Sequence, residues 1–260
     1  GIQLIHDFSL IHDDIEDNSD TRRGRSTVWK LWGLAQGINA GDGLFVVAHL
    51  ALHRLSAAGV HAEVALEVLR RFDQTILTIC EGQFLDLSFE GDLRIGEADY
   101  LDMIGRKTAA LASAAAGLGA IVGGADAATA QALFDFGQNL GLAFQVQDDV
   151  LGIWGDPAVT GKPAAADLYR RKLSLPVIHA LRTAAQSDTL ARLYNQGEIS
   201  DDDVAQLLEI LAEAGARGYT EGIAAFYHQQ ALTALDAAHG STAALAELRA
   251  LAERLVGRQN

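Results

Sequence analysis

The chain predicts an all-α fold, a bundle of long antiparallel helices around a central cavity. Of its 260 residues 49% are hydrophobic, with alanine and leucine abundant, and both residues favour helix. The only prolines are Pro157, Pro163 and Pro176, so nothing of that kind interrupts a helix before residue 157. Apolar side chains recur at spacings of three and four, whereas no run between turns alternates apolar with polar.

Ile2, Ile5, Phe8, Ile11 and Ile15 mark a first helix over residues 2–17. On it Asp13 and Asp17, four apart, share a face, and Asp14 is rotated by about 100°. A polar, glycine-containing segment follows over 18–27. Helices are expected next over 38–57, 62–89, 97–105 and 107–123, the last opening on Lys107-Thr108. Its stretch 109–125 is uncharged but mostly alanine and glycine, which suits a packed core helix better than a membrane span. In the helix over 127–154, Phe136, Leu140, Phe144 and Asp148 recur every fourth residue, with Gln145 and Asp149 on the neighbouring stripe. Apolar residues therefore lie one and two turns below an acidic cluster, as Phe8 and Ser9 lie about one turn below Asp13. Two such helices facing each other would enclose a greasy channel with a charged mouth. Residues 155–167, around Gly161-Lys162-Pro163, are expected to form a mobile lid, since the spacing of a nucleotide-binding loop is missing. Helices over 173–185, 201–214, 218–238 and 242–257 complete the chain. Ser200 with Asp203 reads as a capping box for the second of these.

The whole reads as one domain, 1–260. Gly1 leads straight into an apolar helical pattern without Met or cap, so the chain is expected to begin inside a larger protein and to lack N-terminal helices. A net charge of −14 argues against nucleic acid or an anionic membrane as main partner. A single cysteine, Cys80, excludes an internal disulfide and fits a cytoplasmic location. In its apolar run it reads as a buried small hydrophobe. Arg70-Arg71 and Arg170-Arg171 read as solvated helix faces, and His49 with His53 lacks a third ligand for a transition metal.

What remains is chemistry. Asp13-Asp14-Ile-Glu-Asp17 and Asp148-Asp149 are two carboxylate clusters half a chain apart. Such clusters repel in one domain unless a cation joins them, and hard oxygen donors suit Mg²⁺ together with substrate phosphates. Arg22-Arg23 after the first, and Lys162 and Lys172 after the second, add partners for a strongly anionic ligand. The combination points to diphosphate chemistry.

These residues resemble the trans-prenyltransferases, the polyprenyl synthetase family of the isoprenoid synthase fold. The likeness runs through Leu10-Ile-His12-Asp13-Asp14-Ile-Glu-Asp17, Arg22-Arg23-Gly24, Gly41-Asp42, Gly82-Gln83 with Asp86, Lys107-Thr108-Ala109, Phe144-Gln145-Val-Gln-Asp148-Asp149, Gly161-Lys162 and Lys172-Leu-Ser-Leu-Pro176. It implies that Asp13, Asp17 and Asp148 hold Mg²⁺, as three ions with diphosphate bound, and that Asp14 and Asp149 support them. It places Arg22, Lys107, Gln145, Lys162 and Lys172 around an allylic diphosphate, Thr108 beside the reacting carbon, and Arg23 at isopentenyl diphosphate. The implied reaction joins isopentenyl diphosphate to allylic diphosphates, in a homodimer formed through 109–125 or 38–57. Phe8 and Ser9, five and four residues before Asp13, imply a C20 product, geranylgeranyl diphosphate, over farnesyl diphosphate. Other readings are a terpene cyclase of the same fold and a non-catalytic regulatory member. The chain departs from the pattern at Gly152, where a third aspartate is usual; Asp156 is the expected compensation. The family's upstream Gly-Lys-x-Arg segment and histidine are expected to lie before Gly1.

Overall fold

A computed structural model describes residues 1–157 and 164–256, and they form the expected helical bundle. Helix α1 (Ile2–Glu16) is followed by a short hairpin, β1 (Thr21–Arg22) and β2 (Arg25–Ser26), and by α2 (Val28–Trp32), α3 (Leu34–Ala57) and α4 (Ala62–Phe89). Helix α5 (Glu97–Ile104) runs through a π-helical turn (Gly105–Ala109) into α6 (Ala110–Val122), and α7 spans Ala127–Trp154. The remaining helices are α8 (Ala166–Tyr169), α9 (Leu175–Thr183), α10 (Ser187–Asn195), α11 (Asp201–Glu213), α12 (Ala216–Ala237) and α13 (Thr242–Val256).

Helices α4 and α7 keep the bounds their periodicity predicts, whereas α3 begins at Leu34 and not at 38, and the other corrections fall where tertiary contacts decide. The segment 18–27 is a hairpin whose tip, Arg23-Gly24, has both residues at positive φ, 52° and 73°. This is the geometry of a two-residue turn whose twist matches its strands. Thr27 and the Trp29 indole both donate to the Ser19 carbonyl, at 2.8 and 2.9 Å, and lash the hairpin to the end of α1. Helices α2 and α8 are too short for a period to show, and the amphipathic α10 is absent from the helices expected above.

Helix α7 is the axis of the molecule, with α6, α12 and the π turn along its sides, while α1 packs on α3 and α4 on α6. One core cluster gathers Ile5, Ala48, Phe72, Ile76 and Leu118 from α1, α3, α4 and α6, with Phe8 and Phe45 against it. A second, around Leu168, Leu193, Leu207 and Leu211, unites α8 to α11. Phe136 and Leu140 do not line an open channel. They are 2% and 6% exposed and pack with Ala231, Leu235 and Ala252 of the last two helices, because α12 covers that stripe of α7.

Two local readings are also corrected. The end of the supposed lid is core: Ala165, Ala166 and Asp167 are buried and Leu168 is fully enclosed, while Gly161, Lys162 and Pro163 lie outside the described residues. Cys80 is exposed, because α4 turns that position to the surface beside Leu77 and Phe84. Partial burial and the charges of Glu16 and Glu81 push its thiol above the ordinary range, which keeps it protonated and unreactive. The Ser200–Asp203 capping box is present, with Ser200 N–H donating to Asp203 Oδ2 at 2.9 Å. Among the described residues no helix is long and apolar enough to cross a membrane.

Candidate active site

The last turn of α1 and the hairpin make the first wall. Arg22 spreads its guanidinium across two carboxylates: Nε donates to Asp14 and Nη2 to Asp13, each at 2.6 Å. Asp14 is buried, 5% exposed, so it braces the arginine and is not presented to a ligand. His12 lies against the Phe8 ring and near Asp42, 3.8 Å away, not beside the aspartates. Arg23, at the hairpin tip, is exposed.

The second wall is the π turn. A π turn adds a residue to the helical repeat and is a recurrent feature of functional sites; here it carries Lys107 and Thr108. Lys107 Nζ lies 3.2 Å from Asp13 and donates to Asp86 of α4 at 2.5 Å. Burial disfavours its charge, but Asp86 and Asp13 outweigh burial and hold it above the ordinary lysine range. Gly82 makes this meeting possible. A Cβ there would stand 2.7 Å from the backbone of Arg106 and Lys107, so only glycine lets α4 lie against the turn. One turn on, Asp86 then reaches Lys107, and Gln83 donates to Glu16 of α1 at 2.6 Å.

Helix α7 and the strand-like approach to α9 make the third wall. Thr108 donates to the Gln145 side-chain carbonyl at 3.2 Å. Asp149 is completely buried and anchors its surroundings: it accepts from the Tyr100 hydroxyl, from Leu175 N–H at 3.1 Å, and from Lys172 Nζ at 3.5 Å. That wrapping holds Lys172 and the approach to α9 against α7. Burial raises its carboxyl above the usual range, opposed by Lys172, Tyr100 and Leu175. Burial also works against the Lys172 charge, but Asp149, Asp167, Asp148 and Asp86 together raise it well above the ordinary lysine value.

Asp86 ties the walls together. It bonds Lys107, which reaches Asp13, and its charge is felt by Lys172, which also feels Asp148. Lys107 thus links Asp13 to Asp86, and Lys172 lies within the field of Asp86 and of the second acidic cluster. Asp86, Tyr100 and Asp167 were not read as site residues from sequence. A carboxylate one turn beyond Gly82 was visible for Asp86, but nothing marked a tyrosine 49 positions from its partner.

Asp17 is the most crowded carboxyl of the first cluster. Burial first, then Asp13, Asp86 and Glu90, push its carboxyl up to about 6, with Lys107 the one opposing charge. Carboxylates crowded to that degree suit a divalent ion bound by hard oxygens. No group of three acidic, histidine or cysteine side chains is already gathered for a metal among the described residues. Carboxylate donors are the type that Mg²⁺ takes, one or two at a time, filling its sphere with phosphate and water. Asp13, Asp17 and Asp148 are the residues that would hold it.

The chain is similar to several known proteins. A sequence model of the polyprenyl synthetase family matches residues 1–211. The chain is 42% identical over 237 residues to a geranylgeranyl diphosphate synthase of Mycobacterium tuberculosis, covering 90% of this chain and 67% of that protein. A crystal structure of a polyprenyl synthetase from Streptomyces coelicolor superposes with a TM-score of 0.90 at 40% identity, over 98% of this chain and 76% of that one. A geranylgeranyl pyrophosphate synthase from Corynebacterium glutamicum, complexed with isoprenyl diphosphate and magnesium, gives a TM-score of 0.87 at 30% identity, over 99% and 77% of the two chains.

Proposed function

The chain belongs to the polyprenyl synthetase family, and on that premise we propose that its pocket is where an allylic diphosphate is lengthened by isopentenyl diphosphate. The observation that carries this is that Lys107 bridges Asp13 and Asp86 from three separate segments, while Lys172 feels the charges of Asp86, Asp148 and Asp149. As a prenyltransferase the protein breaks the allylic C–O bond, so that pyrophosphate leaves with the bonding pair. The alkene of isopentenyl diphosphate supplies the electrons of the new C–C bond, and a proton then departs to the pyrophosphate.

Arg22, Lys107, Lys172 and, outside the described residues, Lys162 neutralise the leaving pyrophosphate. Preorganised cations of this kind stabilise charge as it develops. Gln145 and Thr108 form a dipolar pair beside the reacting carbon, and Arg23 receives the second diphosphate. Mg²⁺, as three ions, would be held by Asp13, Asp17 and Asp148 and would supply further positive charge at the allylic diphosphate. Asp14 and Asp149 contribute by fixing Arg22 and Lys172. Phe8, packed edge-on against His12 and 5.4 Å from Phe45, closes the apolar end, with Ser9 turned to its own helix through the His6 carbonyl at 2.9 Å. This supports a C20 product.

The protein acts as a cytoplasmic homodimer in this reading. The face of α3 and α4 carries exposed Ile38, Val46, Leu50, Leu66, Leu77 and Phe84, whereas the 109–125 helix is occupied by α4 and α7, which leaves the α3–α4 face for the partner.

The test is incubation of purified protein with Mg²⁺, isopentenyl diphosphate and dimethylallyl, geranyl or farnesyl diphosphate. Geranylgeranyl diphosphate is the expected product. Absence of condensation with every starter overturns the reading, and hydrocarbon release from geranylgeranyl diphosphate alone replaces it with cyclisation.

A further inference from the structure

Gly152 stands where the second acidic cluster would carry its third carboxylate, yet the space is filled. A Cβ built on Gly152 would lie 2.6 Å from Cγ of Asp167 and 3.1 Å from its Oδ1, and closer still to Oδ2. Real Cβ atoms do not approach so near, so the Asp167 carboxyl sits in the volume a side chain at 152 would use.

Asp167 is itself unusual. It is 5% exposed, and its Oδ2 has no hydrogen-bond partner among the described residues. The same oxygen lies 3.9 Å from Lys172 Nζ, while Asp149 Oδ1 lies 3.5 Å away. The segment between them is closed by Lys172 N–H donating to the Asp167 carbonyl at 2.9 Å. It is braced from outside by Arg171 Nη1 on the Gln196 carbonyl and by the Tyr194 hydroxyl on the Lys172 carbonyl, at 2.5 and 3.4 Å. A buried carboxyl oxygen without a donor is costly. It is retained here against bare backbone, with the lysine ammonium as its nearest charge.

We propose that Asp167 is a positioning residue: seated on Gly152, its carboxyl and that of Asp149 flank the Lys172 ammonium and fix it at the mouth of the pocket. Glycine at 152 is then a requirement of this seat, not a lost ligand. The inference rests on the reading of Lys172 as a diphosphate partner.

Four variants test it: Gly152→Ala, Gly152→Asp, Asp167→Asn, and the double exchange Gly152→Asp with Asp167→Gly. The readouts are the melting temperature of the metal-free protein and calorimetric binding of inorganic pyrophosphate with Mg²⁺. Gly152→Ala and Gly152→Asp are expected to melt lower than wild type and to bind pyrophosphate about tenfold more weakly, the loss usual when a supporting residue is disturbed. The added carboxylate brings no gain. The double exchange, which empties the seat, recovers melting temperature relative to Gly152→Asp. Asp167→Asn keeps its fold but binds pyrophosphate several-fold more weakly. The sign matters, because removal of a negative charge beside an anion site would by itself tighten binding. Tighter binding by Asp167→Asn overturns the proposal, as does a Gly152→Asp protein that melts and binds like wild type. A wild-type protein that binds no pyrophosphate removes the functional reading and the role of Lys172 with it, while the melting of the position-152 variants still decides the seat.

Discussion

At the scale of single residues, Asp17 is the group whose charge depends most on what the pocket holds. Its carboxyl is pushed up to about 6 in the folded, metal-free protein, above the ordinary aspartate value of about 3.9. A raised acid pKa means that the folded state holds the proton longer than the unfolded chain. Folding stability therefore falls as pH rises from about 4 through 6, and is recovered on acidification. Melting curves of metal-free protein should show that decline, and Asp17→Asn should flatten it; the same slope in the variant would assign it elsewhere. Tyr100 offers a second test. Its hydroxyl donates to the fully buried Asp149 carboxylate, so Tyr100→Phe removes one of that carboxylate's three donors and should lower unfolding free energy by about 1–2 kcal/mol in urea titration. The aspartate and basic motifs were legible in sequence because each is local. The buried role of Asp149 was not, since it is set by a tyrosine on another helix and a backbone N–H beyond a loop.

At the scale of elements, one close approach governs the pocket. Gly82→Ala would place a methyl carbon against the backbone of Arg106 and Lys107. Separating α4 from the π turn should cost about 1–3 kcal/mol of stability, as overpacking does, and should weaken the Lys107–Asp86 pair. A crystal structure or a denaturation midpoint checks both. At the other end of α1, Phe8→Ala removes the ring that meets His12 and Phe45. Products longer than C20, resolved by reversed-phase chromatography, are the expected result; an unchanged distribution removes Phe8 as the floor. Helices such as 62–89 and 127–154 were readable to the residue because a 28-residue run integrates many turns of period. The π turn was read as an ordinary helix start, since the extra residue changes no residue type. The hairpin was read only as a polar segment, because two-residue strands are too short to alternate.

At the scale of the molecule, the apolar α3–α4 face predicts the assembly. Phe84, 69% exposed, is a single aromatic on that face, and Phe84→Asp should shift sedimentation from dimer to monomer. A wild-type monomer at micromolar concentration would remove the interface. Fold class was legible because periodicity and proline placement both exclude sheet. The duty of the last helices was not, for they carry no motif. Their clustered leucines wrap the short span that bears Asp167 and Lys172, though they supply no side chain to the pocket. Cooperative units of differing stability open independently. If the leucine-rich unit is the weaker, heat will extinguish turnover before the bulk of the helices melts. Thermal inactivation and circular dichroism would then trace two separate curves, their gap reporting how firmly a distant leucine grips a lysine.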